Sequence, residues 1–148
     1  MVCAKYGPVA LEYTGRAVRL VGGCEKYIDL EEFVKYIKIQ GREPLLALLG
    51  VRRGSVTSYS ALARALGVHP RAVGRMLAAN KFPVLLPCHR VVRLDGQLGG
   101  YSYGVHIKRA LLEFEGVELC GGRACRVDGE IGPVEGDLYG AVLRSLGL

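Results

Sequence analysis

The chain has 148 residues, 50% of them hydrophobic and 23% charged, with a formal net charge of +6. That length suits one domain, or one domain with a small appendage, and that hydrophobic share suffices for a sizeable core. The basic balance favours an anionic partner. No apolar run is long enough to cross a bilayer and no signal peptide is visible, so we expect a cytoplasmic protein with no membrane partner.

The five cysteines include no Cys-x-x-Cys pair, which argues against a zinc-finger framework. Asn80 is the only asparagine, and glutamine occurs only at Gln40 and Gln97. Depletion of thermolabile amides fits a heat-adapted source, in which intracellular disulfides occur. Cys120 with Cys125, and Cys3 with Cys24, are the candidate pairs; four free thiols are the alternative.

The expected fold class is α+β: a small N-terminal α/β unit, then a helical helix-turn-helix (winged-helix-like) domain. Residues 1–43 read as the N-terminal scaffold. Val9 to Tyr13 and Ala17 to Val21 have strand character around a turn at Thr14-Gly15-Arg16. Asp29 is placed to cap a helix from Leu30 to Ile39, with Leu30, Phe33, Val34 and Ile37 on one face. Pro44 opens a short apolar helix that ends near Gly50.

From Pro44 to Leu94 there is no Asp or Glu, while Arg52, Arg53, Arg64, Arg71, Arg75, Lys81, Arg90 and Arg93 are basic. Charged faces ordinarily mix signs, so this window points to a polyanion. Within it lies a helix-turn-helix pattern. Ser58 or Ser60 caps a first helix, Ala61 to Leu66; Gly67 makes the turn; Pro70 starts a second helix, about Pro70 to Ala79. Val73 and Leu77 face inward, and Arg71 and Arg75 share an outer face that suits DNA. Asn80 then stops the helix, either as a plain terminus or as a hinge that lays the next segment against it.

The segment Pro83 to Val92 carries the chemistry. Val84 to Leu86 reads as buried extended chain ending at Pro87, which delivers Cys88 with His89 and Arg90 beside it. A thiol is a nucleophile only as thiolate, and a neighbouring base or positive charge supplies that form. An inert core cysteine is the bland alternative. After a turn at Asp95-Gly96, the glycine-rich Leu98 to Gly104 stretch, with Tyr101 and Ser102, forms a wall for a planar ligand or an ordinary surface loop. A helix follows from His106 to Glu115. A carboxylate at a helix C-terminus opposes the dipole, so Glu115 calls for a specific partner such as His89, or else is solvated. Residues 119–148 form an extension, with a hairpin expected over Val127 to Val134 around Gly129 and a helix over Asp137 to Leu146.

The string Pro87-Cys88-His89-Arg90-Val91-Val92 resembles the signature of O6-alkylguanine-DNA alkyltransferases. The similarity extends over Gly54 to Gly116 and includes Ser58-Tyr59, Arg71-Ala72-Val73-Gly74, Asn80, Gly100-Tyr101-Ser102 and Leu111 to Gly116. The resemblance implies that residues 44–118 bind double-stranded DNA as a monomer and move an alkyl group from flipped O6-alkylguanine to Cys88, once per molecule. It extends to O4-alkylthymine as a further substrate and implies neither metal nor organic cofactor. His89 would act as base through a water and Glu115 would orient it. Arg90 would support the site and Asn80 would be the hinge. Arg71 would fill the base stack, with Arg75 beside it on the DNA face. Tyr59 would press on the phosphate and donate to guanine N3. The carbonyls of Cys88 and Val91 would accept from the exocyclic amine, and Tyr101 and Ser102 would line the pocket. Lys81 stands where the family usually has proline, and Tyr103 where glycine is frequent. A non-catalytic reader of alkylated DNA shares most of these residues but not the acceptor cysteine. A transcription factor leaves Cys88 and His89 idle, and a cysteine hydrolase leaves the acid-free window unexplained.

Overall fold

The computed structural model describes residues 1–148. β1 (Val2–Tyr6), β2 (Val9–Tyr13) and β3 (Val18–Val21) form an antiparallel sheet in the order β1-β2-β3. β1 is an addition to the two strands expected. Its Ala4 and Lys5 are weak strand formers, but Ala4 lies opposite Leu11 and is fully buried. α1 (Leu30–Tyr36) buries Phe33 and Val34 and stops before the expected Ile39, because Ile37 is already extended. Asp29 occupies the N-cap position, yet its side chain makes no cap bond.

Pro44–Gly50 is a 3-10 helix. β4 (Thr57–Ser58) pairs in parallel with β5 (Val91–Val92), a pairing that brings the Cys88 segment to the start of the helix pair. α2 (Tyr59–Leu66) is capped by Ser58, whose Oγ accepts from the Ala61 N–H at 3.0 Å. Gly67 at φ +67° ends it in the left-handed conformation that glycine adopts without penalty. α3 (Pro70–Ala78) follows with proline in its first turn and Val73 buried. The two helices thus form the expected pair joined by a tight turn. α4 (Val105–Phe114) and α5 (Leu138–Ser145) complete the helices, the latter capped by Asp137 Oδ1 on the Gly140 N–H at 2.8 Å.

The expected hairpin around Gly129 is absent. Asp128 instead bridges to Thr57, its N–H donating to Val56 O while its carbonyl accepts from Thr57 Oγ1. The hairpin of the extension is β6 (Leu119–Cys120) with β7 (Arg123–Ala124), turning at Gly121-Gly122. Two consecutive glycines supply the positive φ at both turn positions (59° and 81°), which Gly129 alone does not.

One apolar cluster of 23 buried residues runs from Ala4 through Leu48, Leu62, Leu85, Leu86 and Leu111 to Val142 and Leu146. The sheet, the helix pair and α5 therefore share a core. Gly50 permits the closest approach: a Cβ there would lie 2.0 Å from Gly132 O. Disulfides join Cys3 to Cys24 and Cys120 to Cys125, which leaves Cys88 as the free thiol.

Closing a loop restricts the unfolded chain more as the loop lengthens, and the separations are 21 and 5 residues. Cys24→Ser is expected to cost on the order of 3 kcal/mol and Cys125→Ser less. Thermal denaturation of both variants checks this; equal melting temperatures would contradict it.

Candidate active site

Cys88 opens a one-turn 3-10 helix, Cys88–Arg90, that leads into β5. The preceding Val84 to Leu86 are fully buried, as expected, but they form a turn and not extended chain. Asn80 is the cause. Its Nδ2 donates to Leu86 O at 2.8 Å and its Oδ1 accepts from the Phe82 N–H at 2.9 Å, so one side chain clamps both ends of the turn. Val84 inside it has φ +74°. A β-branched residue is strained there, by about 1–3 kcal/mol, so the turn persists only because its surroundings impose it. The Lys81 carbonyl meanwhile accepts from the Val18 N–H, tying this region to β3.

The turn places Cys88 in the wall of an open cavity of about 410 Å³. Gly74, Leu77 and Ala78 of α3 line one side, with Asn80 and Pro83; Tyr59 and the Gly100 to Tyr103 loop line the other. Gly99, at φ +75°, lets that loop close on α2: a Cβ there would lie 2.7 Å from the Tyr59 hydroxyl. The Tyr101 hydroxyl is buried with no protein partner. Tyr103 stacks at a tilt on Tyr101, with ring centroids 5.8 Å apart.

Behind the cavity lies a buried polar cluster centred on Glu115. Oε1 accepts from His89 Nε2 at 2.8 Å and Arg90 Nε at 2.9 Å; Oε2 accepts from Arg90 Nη2 at 2.8 Å and the Tyr6 hydroxyl at 2.5 Å. A carboxylate offers about four acceptor sites, and all are used. Burial alone would raise the Glu115 carboxyl, but hydrogen bonds and charge from Arg90 and His89 outweigh it and hold it well below the usual carboxylate range. An ionised Glu115 only accepts, so His89 Nε2 carries the proton and Nδ1 keeps its lone pair. Nδ1 is buried without a protein partner. Burial also holds His89 below its ordinary value against the pull of Glu115. For Cys88, burial pushes the thiol up, opposed by the Asn80 side chain, the Lys108 ammonium and the N–H groups of Cys88 and His89. Thiol and imidazole are therefore both neutral at rest.

Of the expected residues, Cys88, Asn80, Tyr59, Tyr101 and Ser102 line the cavity. His89, Arg90 and Glu115 lie buried behind it. Arg71 and Arg75 are exposed on α3, outside the cavity. The Val91 carbonyl accepts from Lys108 Nζ at 2.7 Å and the Cys88 carbonyl from the Val91 N–H, so each has a protein partner already.

Beyond the residues expected from the sequence, Lys108, Tyr6 and Ser145 also join the site. Lys108 is buried, and its ammonium also donates to Leu98 O at 2.5 Å and Gly100 O at 3.2 Å. It therefore fastens the glycine loop to β5. Burial lowers it to about 8, and the Cys88 charge opposes that. Tyr6 comes from β1, 109 residues from Glu115, and burial then Glu115 push its hydroxyl up to about 12. No local pattern announces either contact. Only a lysine placed four residues before Leu112, on the inward face of α4, was a visible irregularity.

The model of the family 6-O-methylguanine DNA methyltransferase, DNA binding domain, matches residues 42–117. A methylated-DNA–protein-cysteine methyltransferase of Pyrobaculum aerophilum is 45% identical, covering 100% of this chain and 99% of that one. Two crystal structures are similar. The O6-methylguanine-DNA methyltransferase of the hyperthermophilic archaeon Pyrococcus kodakaraensis has a TM-score of 0.56 at 27% identity, over 74% of this chain and 91% of that one. Mycobacterium tuberculosis OGT in complex with DNA has a TM-score of 0.53 at 26% identity, over 75% and 88%.

Two outcomes follow from the buried charges. Lys108→Met removes the cation that opposes the burial-driven rise of the thiol and strands three carbonyls, so reaction of Cys88 with iodoacetamide near pH 8 should slow by roughly tenfold; an unchanged rate would contradict the assignment. The second concerns acid. Below about 6.5 the unfolded chain protonates His89 while the folded state resists, and below about 4.5 the same holds for Glu115, so both lose stability as pH falls. Melting temperature should drop in two stages on acidification. Glu115→Gln should remove the second stage and cost about 3–5 kcal/mol at neutral pH, because Arg90 is left without its counter-charge. A flat melting temperature between about pH 7 and pH 5 would contradict a buried neutral imidazole.

Proposed function

Because this chain belongs to the 6-O-methylguanine DNA methyltransferase family, we propose that Cys88 is its alkyl acceptor and that the buried cluster behind the cavity activates it. The protein performs direct-reversal DNA repair: it transfers the alkyl group of O6-alkylguanine in DNA to one of its own cysteines, once. The observation that carries the assignment to Cys88 is a free thiol in the wall of a cavity bounded by α3, with an unpartnered imidazole nitrogen next in sequence.

O6 of guanine is inside the duplex, so the base must be extruded at a cost of about a few kcal/mol. In our reading α2, Gly67 and α3 act as a helix-turn-helix, winged-helix-like with the small parallel sheet. Arg71 takes the place of the departing base and Arg75 supports it. Tyr59 presses on the phosphate and donates its proton at guanine N3. Cys88 and Val91 carbonyls meet the exocyclic amine through their second lone pairs, and Tyr101 and Ser102 enclose the ring. His89 Nδ1 takes the thiol proton through a water, while Glu115 stabilises the imidazolium that forms. The sulfur then attacks the alkyl carbon. The S–C bond forms, the C–O6 bond breaks, and its electron pair passes into the purine, neutralised by the proton at N3. The thioether has no route to hydrolysis, so turnover stops. Asn80 acts as the hinge that fixes the acceptor against α3, and Arg90 fixes Glu115. Tyr103 narrows the cavity and disfavours large alkyl groups. Residues 44–118 carry DNA binding and chemistry, 1–43 and 119–148 support them, and the protein acts as a monomer in the cytoplasm on O6-alkylguanine and, by extension, O4-alkylthymine.

Incubation with a duplex carrying O6-methylguanine should raise the intact mass by one CH2, confined to the Cys88 peptide. Cys88→Ala should bind the duplex and gain nothing. Tight binding by the unaltered protein with no mass change would identify a reader instead of a repair enzyme.

A further inference from the structure

We propose that Ser145, at the end of α5, is a positioning residue for alkyl transfer, acting on His89 through Arg90 and Glu115; this rests on the alkyl-transfer reading above. Arg90 is fully buried, and a guanidinium has five N–H donors in a fixed plane. Each finds an acceptor. Nε and one Nη2 proton go to the two oxygens of Glu115, and one Nη1 proton goes to Val51 O at 3.0 Å. The remaining two go to Ser145: Nη1 to its Oγ at 2.7 Å and Nη2 to its carbonyl at 2.6 Å. Ser145 thus supplies two of five acceptors.

These bonds fix the angle of the guanidinium about its own axis, which the Glu115 fork alone leaves free to pivot. That angle matters because Glu115 Oε1 is shared between Arg90 Nε and His89 Nε2. Moving Arg90 moves the oxygen that orients the imidazole. The Ser145 carbonyl also lies at the negative end of the α5 dipole, where a cation is favoured. α5 is itself held firmly, by its Asp137 cap and by Ala141, Val142 and Leu146 in the core. It packs against α1 and the 3-10 helix that contains Gly50. Ser145 lies outside the residues matched by the family model, 42–117. The extension is therefore part of the reaction's scaffold.

The test compares single-turnover alkyl transfer from an O6-methylguanine duplex by wild type, Ser145→Ala and Ser145→Thr. Ser145→Ala orphans one Arg90 proton and should transfer about tenfold more slowly with unchanged duplex affinity. Its Glu115 is less completely matched by Arg90 and draws harder on the His89 proton, so the acid limb of the pH–rate profile should move to higher pH. Ser145→Thr keeps the hydroxyl and should recover the rate. With three histidines in the chain, imidazole 15N spectra read the same shift at His89 directly. Ser145→Cys, of similar volume and weak accepting power, serves if Ser145→Ala does not fold. A wild-type rate and His89 titration in Ser145→Ala would overturn the proposal, as would a rate loss matched by an equal loss of duplex affinity. If wild type itself gains no mass, the alkyl-transfer reading falls, and the imidazole titration still decides whether Ser145 governs His89.

Discussion

Glu115 is a charge removed from water, and the molecule is arranged around matching it. Desolvating a carboxylate costs roughly several kcal/mol even after the protein relaxes. That cost is offset only when every lone pair is met. Here His89, Arg90 twice and Tyr6 meet them, and they come from the Cys88 segment and from the first strand. Arg90 carries the same demand outward, to Val51 and to α5. Segments far apart in sequence must therefore be in place before the cluster is complete. Such an assembly defines one geometry strongly, because each half-made version leaves a buried charge or donor unmatched.

The same cluster explains why a protein needing a reactive sulfur buries it. Burial pushes both the Cys88 thiol and the His89 imidazolium toward their neutral forms. The resting pair is uncharged, which suits a site that has to stay intact until substrate arrives. In the proposed mechanism, proton transfer from Cys88 to His89 creates two charges at once, and these attract each other in a medium of low polarity. Glu115 is already ionised to receive the positive one, and Lys108 and Asn80 face the negative one. Reactivity is thus a property of the assembled site and not of the cysteine alone.

The sequence made some of this legible and hid the rest for definable reasons. Ser58, Gly67 and Pro70 marked α2 and α3 because caps, left-handed glycines and N-terminal prolines act on backbone within a few residues of themselves. Cys88, His89 and Arg90 were readable as a group because they are adjacent. The partnership of Glu115 with His89 was within reach because a carboxylate at a helix C-terminus is conspicuous. Tyr6 and Ser145 were not readable, since each is ordinary in its local context and gains its partners only by long-range packing; Lys108 stood out only as a charge on an inward helix face, with nothing local to name its partners. The Gly129 hairpin failed for a related cause: Asp128 found better partners across the fold, donating to Val56 O and accepting from Thr57 Oγ1. Val84 failed because the Asn80 clamp overrides the extended preference of Val-Leu-Leu.

Asn80 has one more bearing on the molecule, through its chemical lifetime. Asparagine decays when the next backbone nitrogen attacks the side-chain carbonyl carbon, and hot environments select against the residue for that reason. Attack requires the side chain to swing toward that nitrogen. With Nδ2 held by Leu86 and Oδ1 held by Phe82, the swing is blocked in the folded state. The two bonds that shape the turn also guard the amide against ageing, so a molecule waiting for its single reaction keeps its one asparagine intact for as long as it stays folded.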